Sequence, residues 1–378
     1  MTDSAAGPGG LSAKRAGLLF LLVLLLRVAI LAEFRGNYDS ASFWIVSQIT
    51  LRGENVYAAT DRYNYSPLWS WVSAGLFKAA AGRPELFLLF IGAFLTSCDV
   101  ATSVLLYRIA RRKTGASPEE ARRLALLFFS NPVSVLISSA HGQFDGLSIL
   151  FLLAALLRFR PGESSRNEWS VAGLLSLSLL VKHVTLFHPL LFWRALRRDG
   201  LGTWRIASVY GIFLGAFLPY VGAAGRVLEN VFLYPARLGG NRLQYPVGVH
   251  AFAAAAKIDL VATGLLLTGV ALTLVAVRRA PLPRAALVLL LAVFAFSPGF
   301  SAQYLVWPIA LGSLYPSAAF GIFSGVAAIY HSFQSLRFPW PVEINPLGAW
   351  AAGVVWYAFE LAAIRKVASV ELWQAPTG

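Results

Sequence analysis

Apolar runs long enough to enter a membrane follow one another along this chain, separated by short connections in which arginine and lysine gather. Hydrocarbon offers no hydrogen-bond partner, so such runs take up helical structure that pairs its own backbone. Hydrophobic residues make up 57% of the sequence and charged residues 13%. That charged share is about half the ~25% that a water-facing surface requires. The expected fold is all-α and integral to the membrane, as one polytopic bundle. A disordered cytoplasmic segment 1–15 precedes a membrane domain 16–366, and a cytoplasmic tail 367–378 follows it.

The net charge of +14 would suit a nucleic-acid binder, but the placement of the charges argues otherwise. Lys14–Arg15, Arg108 with Arg111, Arg112 and Lys113, Arg122–Arg123, Arg194 with Arg197–Arg198, Arg278–Arg279 and Arg365–Lys366 all lie between or beside apolar runs. Cytoplasmic loops carry this excess of positive charge. No nucleic-acid partner is expected, while membrane lipids are. Cys98 is the only cysteine, which excludes a disulfide framework within one chain. The run 16–32 follows a basic pair as a signal sequence would. It lacks a small-x-small cleavage site and contains Arg27, so it reads as an uncleaved first span.

Alternating the apolar runs against the basic clusters gives a multi-pass topology with both termini inside. Spans fall near 16–32, 86–108, 122–138, 145–159, 168–182, 184–196, 204–221, 258–277, 283–297, 302–315, 317–333 and 347–364, about twelve in all. The apolar stretch 67–82 is short, and a full crossing there would put Arg108 to Lys113 outside. A re-entrant or membrane-lying helix is expected instead. The short pairs around 182–186 and 315–317 read as possible broken helices. The outer side then holds two large loops, 33–66 and 222–257, the stretch 334–346 and several tight turns. Twelve cations fall there, Arg27 included, with few acids in the outer stretches to neutralise them. An anionic ligand such as a lipid phosphate would account for this surplus, and anionic headgroups would do so less specifically.

Polar residues without a structural duty mark function in a membrane protein, and they gather at these outer ends. Phe43, Trp44, Ile45, Ile49 and Leu51 predict an amphipathic helix lying on the outer membrane face. Asp39 stands near its start, where it can act as a base or as an ordinary N-cap. The stretch 57–69, rich in aromatics and ending at Pro67, suits an interfacial belt. It equally suits sugar stacking, with Arg62 holding a phosphate. Ser138 to Gly146 form a turn whose glycines and Asp145 have structural uses, while His141 and Gln143 have none. Lys182 either snorkels or binds phosphate. Pro298 and Gly299 end one helix, and Gln303–Tyr304 open the next.

The order of these segments resembles the GT-C superfamily of membrane glycosyltransferases. It is most similar to the catalytic subunit of GPI mannosyltransferase I and to bacterial polyprenyl-phosphate-mannose-dependent transferases. The marks are Tyr38-Asp39 with Phe43, then Gly53 and Tyr57, and Arg62-Tyr63-Asn64-Tyr65-Ser66-Pro67-Leu68. Ser97-Cys98-Asp99, Leu105-Leu106-Tyr107-Arg108, Asn131-Pro132 with Ser138-Ser139, Lys182, and Ser297-Pro298…Gln303-Tyr304-Leu305…Trp307-Pro308 follow in order. His141 to Asp145 is similar to a turn in the glucosyltransferase branch.

The resemblance implies an inverting hexosyltransferase acting from a polyprenyl-phosphate sugar, mannose above all. The acceptor would be a glycolipid or envelope glycan on the non-cytoplasmic face. It implies Asp39 as general base, with Arg62, Lys182 and Arg242 toward the donor phosphate. His141, Gln143 and Asp145 would orient substrates, and Tyr65, Gln303 and Tyr304 would contact them. No second acid stands two residues from Asp39, so a DxD metal site is not supported and dependence on a divalent metal stays open. An accessory subunit is a possible partner. Short loops and an Ala/Arg-rich composition point to a bacterial plasma membrane with the site facing outward. The rival expectations are a transporter or flippase of lipid-linked sugars and a non-catalytic envelope scaffold.

Overall fold

A computed structural model describes residues 11–160, 164–197, 203–233, 259–297, 299–335 and 346–373. Every regular element among them is helical. In chain order the helices are α1 (Ala13–Glu33), α2 (Tyr38–Leu51), α3 (Val56–Ala59), α4 (Leu68–Ala79), α5 (Pro84–Lys113), α6 (Pro118–Phe129) and α7 (Pro132–Val135). Then come α8 (Asp145–Arg158), α9 (Ser165–Val181), α10 (His188–Arg197), α11 (Thr203–Gly215), α12 (Ala224–Val227), α13 (Asp259–Ala276), α14 (Leu282–Phe296), α15 (Ile309–Gly312), α16 (Ala318–Ser335) and α17 (Leu347–Trp373).

Among the described residues α1, α5 and α17 can cross a membrane by length and composition; counting two pairs bent by 47°, Pro118–Phe129 with Pro132–Ala140 and Thr203–Gly215 with Leu218–Phe232, gives up to five spans. That is the pattern of a helical membrane protein. It differs from the expected tally of about twelve because several apolar runs are cut short. Residues 302–315 form a 3₁₀ turn, Ala302–Val306, and the single turn α15, with Pro308 between them. Proline removes a backbone donor and clashes with the preceding turn. Near 182–186 the break takes the form of a 3₁₀ turn at His183–Thr185.

The ends of the long helices follow their sequence. The Ser12 hydroxyl accepts from the N–H of Arg15 at the start of α1. Pro84 occupies the first turn of α5, whose last turn carries Arg111, Arg112 and Lys113. Proline is preorganised for a helix start, and cations favour the negative end of the helix dipole.

A buried polar network ties α1, α5 and α6 together. Pro132 has no N–H, and the N–H of Val133 turns to the Asn131 side chain at 3.0 Å. The Phe129 carbonyl is thus left without its helical donor. Arg27 supplies one, with Nε at 3.2 Å and Nη2 at 2.7 Å from that oxygen. Its Nη2 also reaches Ser134 Oγ at 2.7 Å, and its Nη1 lies 2.6 Å from Asp99 Oδ2. Both ends of the ion pair are buried. Arg27 is therefore internal and neutralised, not one of a free set of outer cations. Close approach of the helices helps, since a Cβ at Gly92 of α5 would collide with Leu31 of α1.

The first outer loop packs inward as well. Phe43, Val46 and Ile49 on α2 are buried against protein, while Leu51 is exposed. The helix lies on α4, so its apolar face is covered by the chain itself and not by lipid. α4 also meets α5. The expected belt tyrosines are core residues: Tyr57 and Tyr63 are fully buried and Tyr65 nearly so. Tyr57 donates to the carbonyl of Tyr65 at 2.8 Å. Tyr63 donates to that of Ser66 at 2.6 Å and accepts from Ser70 N–H at 2.9 Å. Burial pushes both phenols well above their ordinary pKa, so they remain proton donors to these carbonyls.

Arg27→Met removes one partner of a buried pair and orphans the Phe129 carbonyl. Its expected cost is about 3–5 kcal/mol, read by thermal unfolding of the purified protein in detergent. An unchanged unfolding midpoint would show that Asp99 and the Phe129 carbonyl do not depend on Arg27.

Candidate functional site

The start of α2 decides what Asp39 is for. Asn37 is the N-cap, its Oδ1 accepting from Ser40 N–H at 2.9 Å while Ser40 Oγ accepts from Asn37 N–H at 2.7 Å. This reciprocal box satisfies the helix end, so Asp39, in the first turn, is released from capping. Its Oδ2 faces His141 Nε2 at 3.0 Å and Gln143 Nε2 at 2.5 Å. Asn37 ties the same segment down, donating from Nδ2 to the carbonyl of His141 at 2.8 Å.

The 141–145 turn owes its shape to the backbone before it. Residues Leu136–Ala140 widen into a π turn, closed by His141 N–H on the Leu136 carbonyl at 2.9 Å. Gly142 then takes a left-handed φ of 71°, which glycine adopts without steric cost. The result places His141 and Gln143 toward Asp39 and Asp145 toward the opposite side. Phe144 between them is fully buried, stacked on Trp69 at 4.1 Å and edge-on to Tyr65 at 4.8 Å.

Behind Phe144 lies a second cluster. α9 stops at Lys182, whose backbone is extended. Its Nζ meets Asp145 Oδ1 at 2.7 Å, and Trp307 Nε1 donates to the same oxygen at 2.5 Å. The rings of Tyr65, Tyr304, Phe144 and Trp307 surround the ammonium at 5.1 to 5.8 Å, and Tyr304 stacks on Trp307 at 4.1 Å. Asp145 Oδ2 is buried and has no hydrogen-bond partner among the described residues. Asp145 therefore does not cap α8, and Lys182 does not snorkel. A charged pair enclosed by aromatic rings gains from cation–π attraction as well as from its partner.

The two clusters differ in access. The side chains of Asp39 and His141 are 24% and 19% exposed, against 0% for Asp145 and 7% for Lys182. The first is partly open, whereas the second is closed.

The structure thus brings Asp39, His141 and Gln143 together, and separately Tyr65, Asp145, Lys182 and Tyr304. Arg62 is exposed, with its guanidinium 4.7 Å over the ring of Tyr38, the residue before Asp39. Gln303 pairs with Ser301 and touches neither cluster by hydrogen bond. Arg242 lies outside the described residues. The expected surplus of unpaired outer cations is smaller than the sequence implies, since Arg35, Arg52, Lys182 and Arg226 face Glu33, Glu54, Asp145 and Asp61. Among the described residues no group of three or more His, Cys, Asp or Glu side chains is arranged to hold a metal ion.

Sequence reasoning missed His331 of α16, whose ring lies 5.2 Å from that of His141. A lone histidine near the end of an apolar run was its only signal. The chain matches no protein-family model, and no curated protein matches it.

Lys182→Met leaves Asp145 buried beside a single donor and costs about 3–5 kcal/mol. Adding Asp145→Leu removes the stranded carboxylate and recovers much of that loss. Thermal unfolding of both variants checks this coupling, and a double variant no more stable than Lys182→Met would contradict it.

Proposed function

We propose that this chain is an inverting membrane glycosyltransferase of the GT-C kind. It would move a hexose, mannose by the resemblance, from a polyprenyl-phosphate sugar to a glycolipid or envelope glycan. The reading includes about twelve membrane crossings or partial crossings, a bacterial plasma membrane, and a site on the non-cytoplasmic face. The observation that carries it is the release of Asp39 from capping. The Asn37 box satisfies the helix end, and Asp39 Oδ2 is instead gripped by His141 and Gln143 at an accessible position.

The chemistry follows from that grip. Two donors fix Oδ2, and Oδ1 accepts no hydrogen bond from the described residues. Oδ1 can then take the proton of an acceptor hydroxyl. The hydroxyl oxygen bonds to C1 of the sugar as the C1–O bond to the lipid phosphate breaks. The phosphate leaves with that electron pair on the face opposite the attack, which inverts the anomeric centre. A general base placed in this way contributes typically 10²–10⁴-fold.

Developing negative charge on the phosphate calls for fixed cations. Arg62, exposed beside Tyr38, is the cation we assign to that duty. Lys182 is engaged by Asp145 and would reach a phosphate only by exchanging partners. Its role here is to hold the far end of the 141–145 turn.

The test is transfer from labelled polyprenyl-phosphate-mannose in membranes holding the wild type or Asp39→Asn at equal protein levels. The amide keeps hydrogen-bonding capacity but cannot serve as the base, so transfer is expected to fall by about 10²-fold or more while donor binding is kept. Equal transfer by both would remove Asp39 from the chemistry, and transfer by neither would favour a non-catalytic role.

A further inference from the structure

We propose that His331 is a positioning residue for Asp39, acting through the imidazole of His141; the inference rests on reading Asp39 as the base. α16 packs on both α7 and the π turn. His331 is fully buried in that contact. Its ring sits 5.2 Å from the His141 ring, at an interplanar angle of 51°. It also lies against the carbonyl of Leu136, the same oxygen that accepts the backbone N–H of His141. One imidazole thus touches the side chain of His141 and, through a shared carbonyl, the turn that aims it.

A packing role alone would not need this residue type. A phenylalanine would fill the space without a polar group to satisfy, and a buried imidazole is costly unless bonded. Seven residues before His331, on the same helical face, Ser324 accepts from Asn131 Nδ2 at 3.0 Å. α16 therefore grips the α6–α7 break and the π turn through two polar contacts on one stripe. Each contact falls on a segment that leads into His141. With the turn and the ring both held, His141 presents Nε2 to Asp39 Oδ2, leaving Oδ1 for the proton of the acceptor.

The experiment uses the full-length protein with ¹⁵N-labelled histidine in detergent micelles, comparing wild type, His331→Phe and His331→Gln. The His141 signals are identified by their loss in His141→Gln. Wild type is expected to show His141 as one fixed tautomer, with distinct protonated and unprotonated nitrogens. In His331→Phe those two signals should move toward their average, and in the transfer assay kcat should fall about tenfold with KM kept. His331→Gln retains an N–H donor for Leu136 and should restore most of the tautomer and of kcat, and it serves alone if the phenylalanine variant does not fold. A fixed His141 tautomer with unchanged kcat in His331→Phe would overturn the proposal, as would averaged signals in the wild type. Absence of transfer from the wild type would count against the base reading only, because the nitrogen signals report the positioning by themselves.

Discussion

The Arg27 guanidinium is the contact on which the geometry around it depends. Asn131 and Pro132 break the helix 118–140 and leave the Phe129 carbonyl without a helical donor. Such a group in an apolar interior costs free energy of the order of a lost hydrogen bond. Arg27 meets it, and Asp99 with Ser134 meets the charge of Arg27. Satisfied on every side, this network fixes where α7 and the π turn begin, and so where His141 emerges. A buried ion pair of this kind is weak evidence for net stability. Its contribution here is geometric, setting the direction of the chain after the break.

From that turn the structure builds two clusters with unlike properties. Asp39 and His141 are partly exposed and, with the buried Gln143, are joined by hydrogen bonds across more than a hundred residues of sequence. Asp145, Lys182 and Trp307 are enclosed by aromatic rings and already neutral as a pair. Phe144 lies between them and packs on Trp69. The buried pair anchors one end of the segment, the Asn37 and His331 contacts anchor the other, and the residues facing Asp39 are held from both sides.

What was legible in the sequence follows from which forces are local. Apolar runs and basic loops depend on composition alone, so the helical membrane character, α1 and α5 could be read directly. The break at Asn131–Pro132 and the turn at His141 to Asp145 carry proline and glycine chemistry that acts within a few residues. His141 and Gln143 stood out because each was polar without a structural use, whereas Asp39, Asp145 and Lys182 also had an ordinary reading as a cap or a snorkelling cation. Their pairing was not legible, since it depends on contacts between the start of α2 and the 141–143 turn, and between the start of α8 and the end of α9, that no spacing encodes. The same holds for Arg27, counted with the outer cations until Asp99 on α5 is brought beside it. The tyrosines of the first outer loop resembled an interfacial belt because aromatic content looks the same in a belt and in a core. His331 carried only the signal of a single polar residue in an apolar helix.

The most direct test of the account is whether Asp39 and His141 act as one unit in sugar transfer. Rates from polyprenyl-phosphate-mannose would be compared for wild type, Asp39→Asn, His141→Gln and the double variant, all at equal folded protein. Groups that work together lose their effect together. The account predicts that the double variant transfers no more slowly than Asp39→Asn alone. Losses that multiply, or a wild type that transfers no sugar, would contradict it.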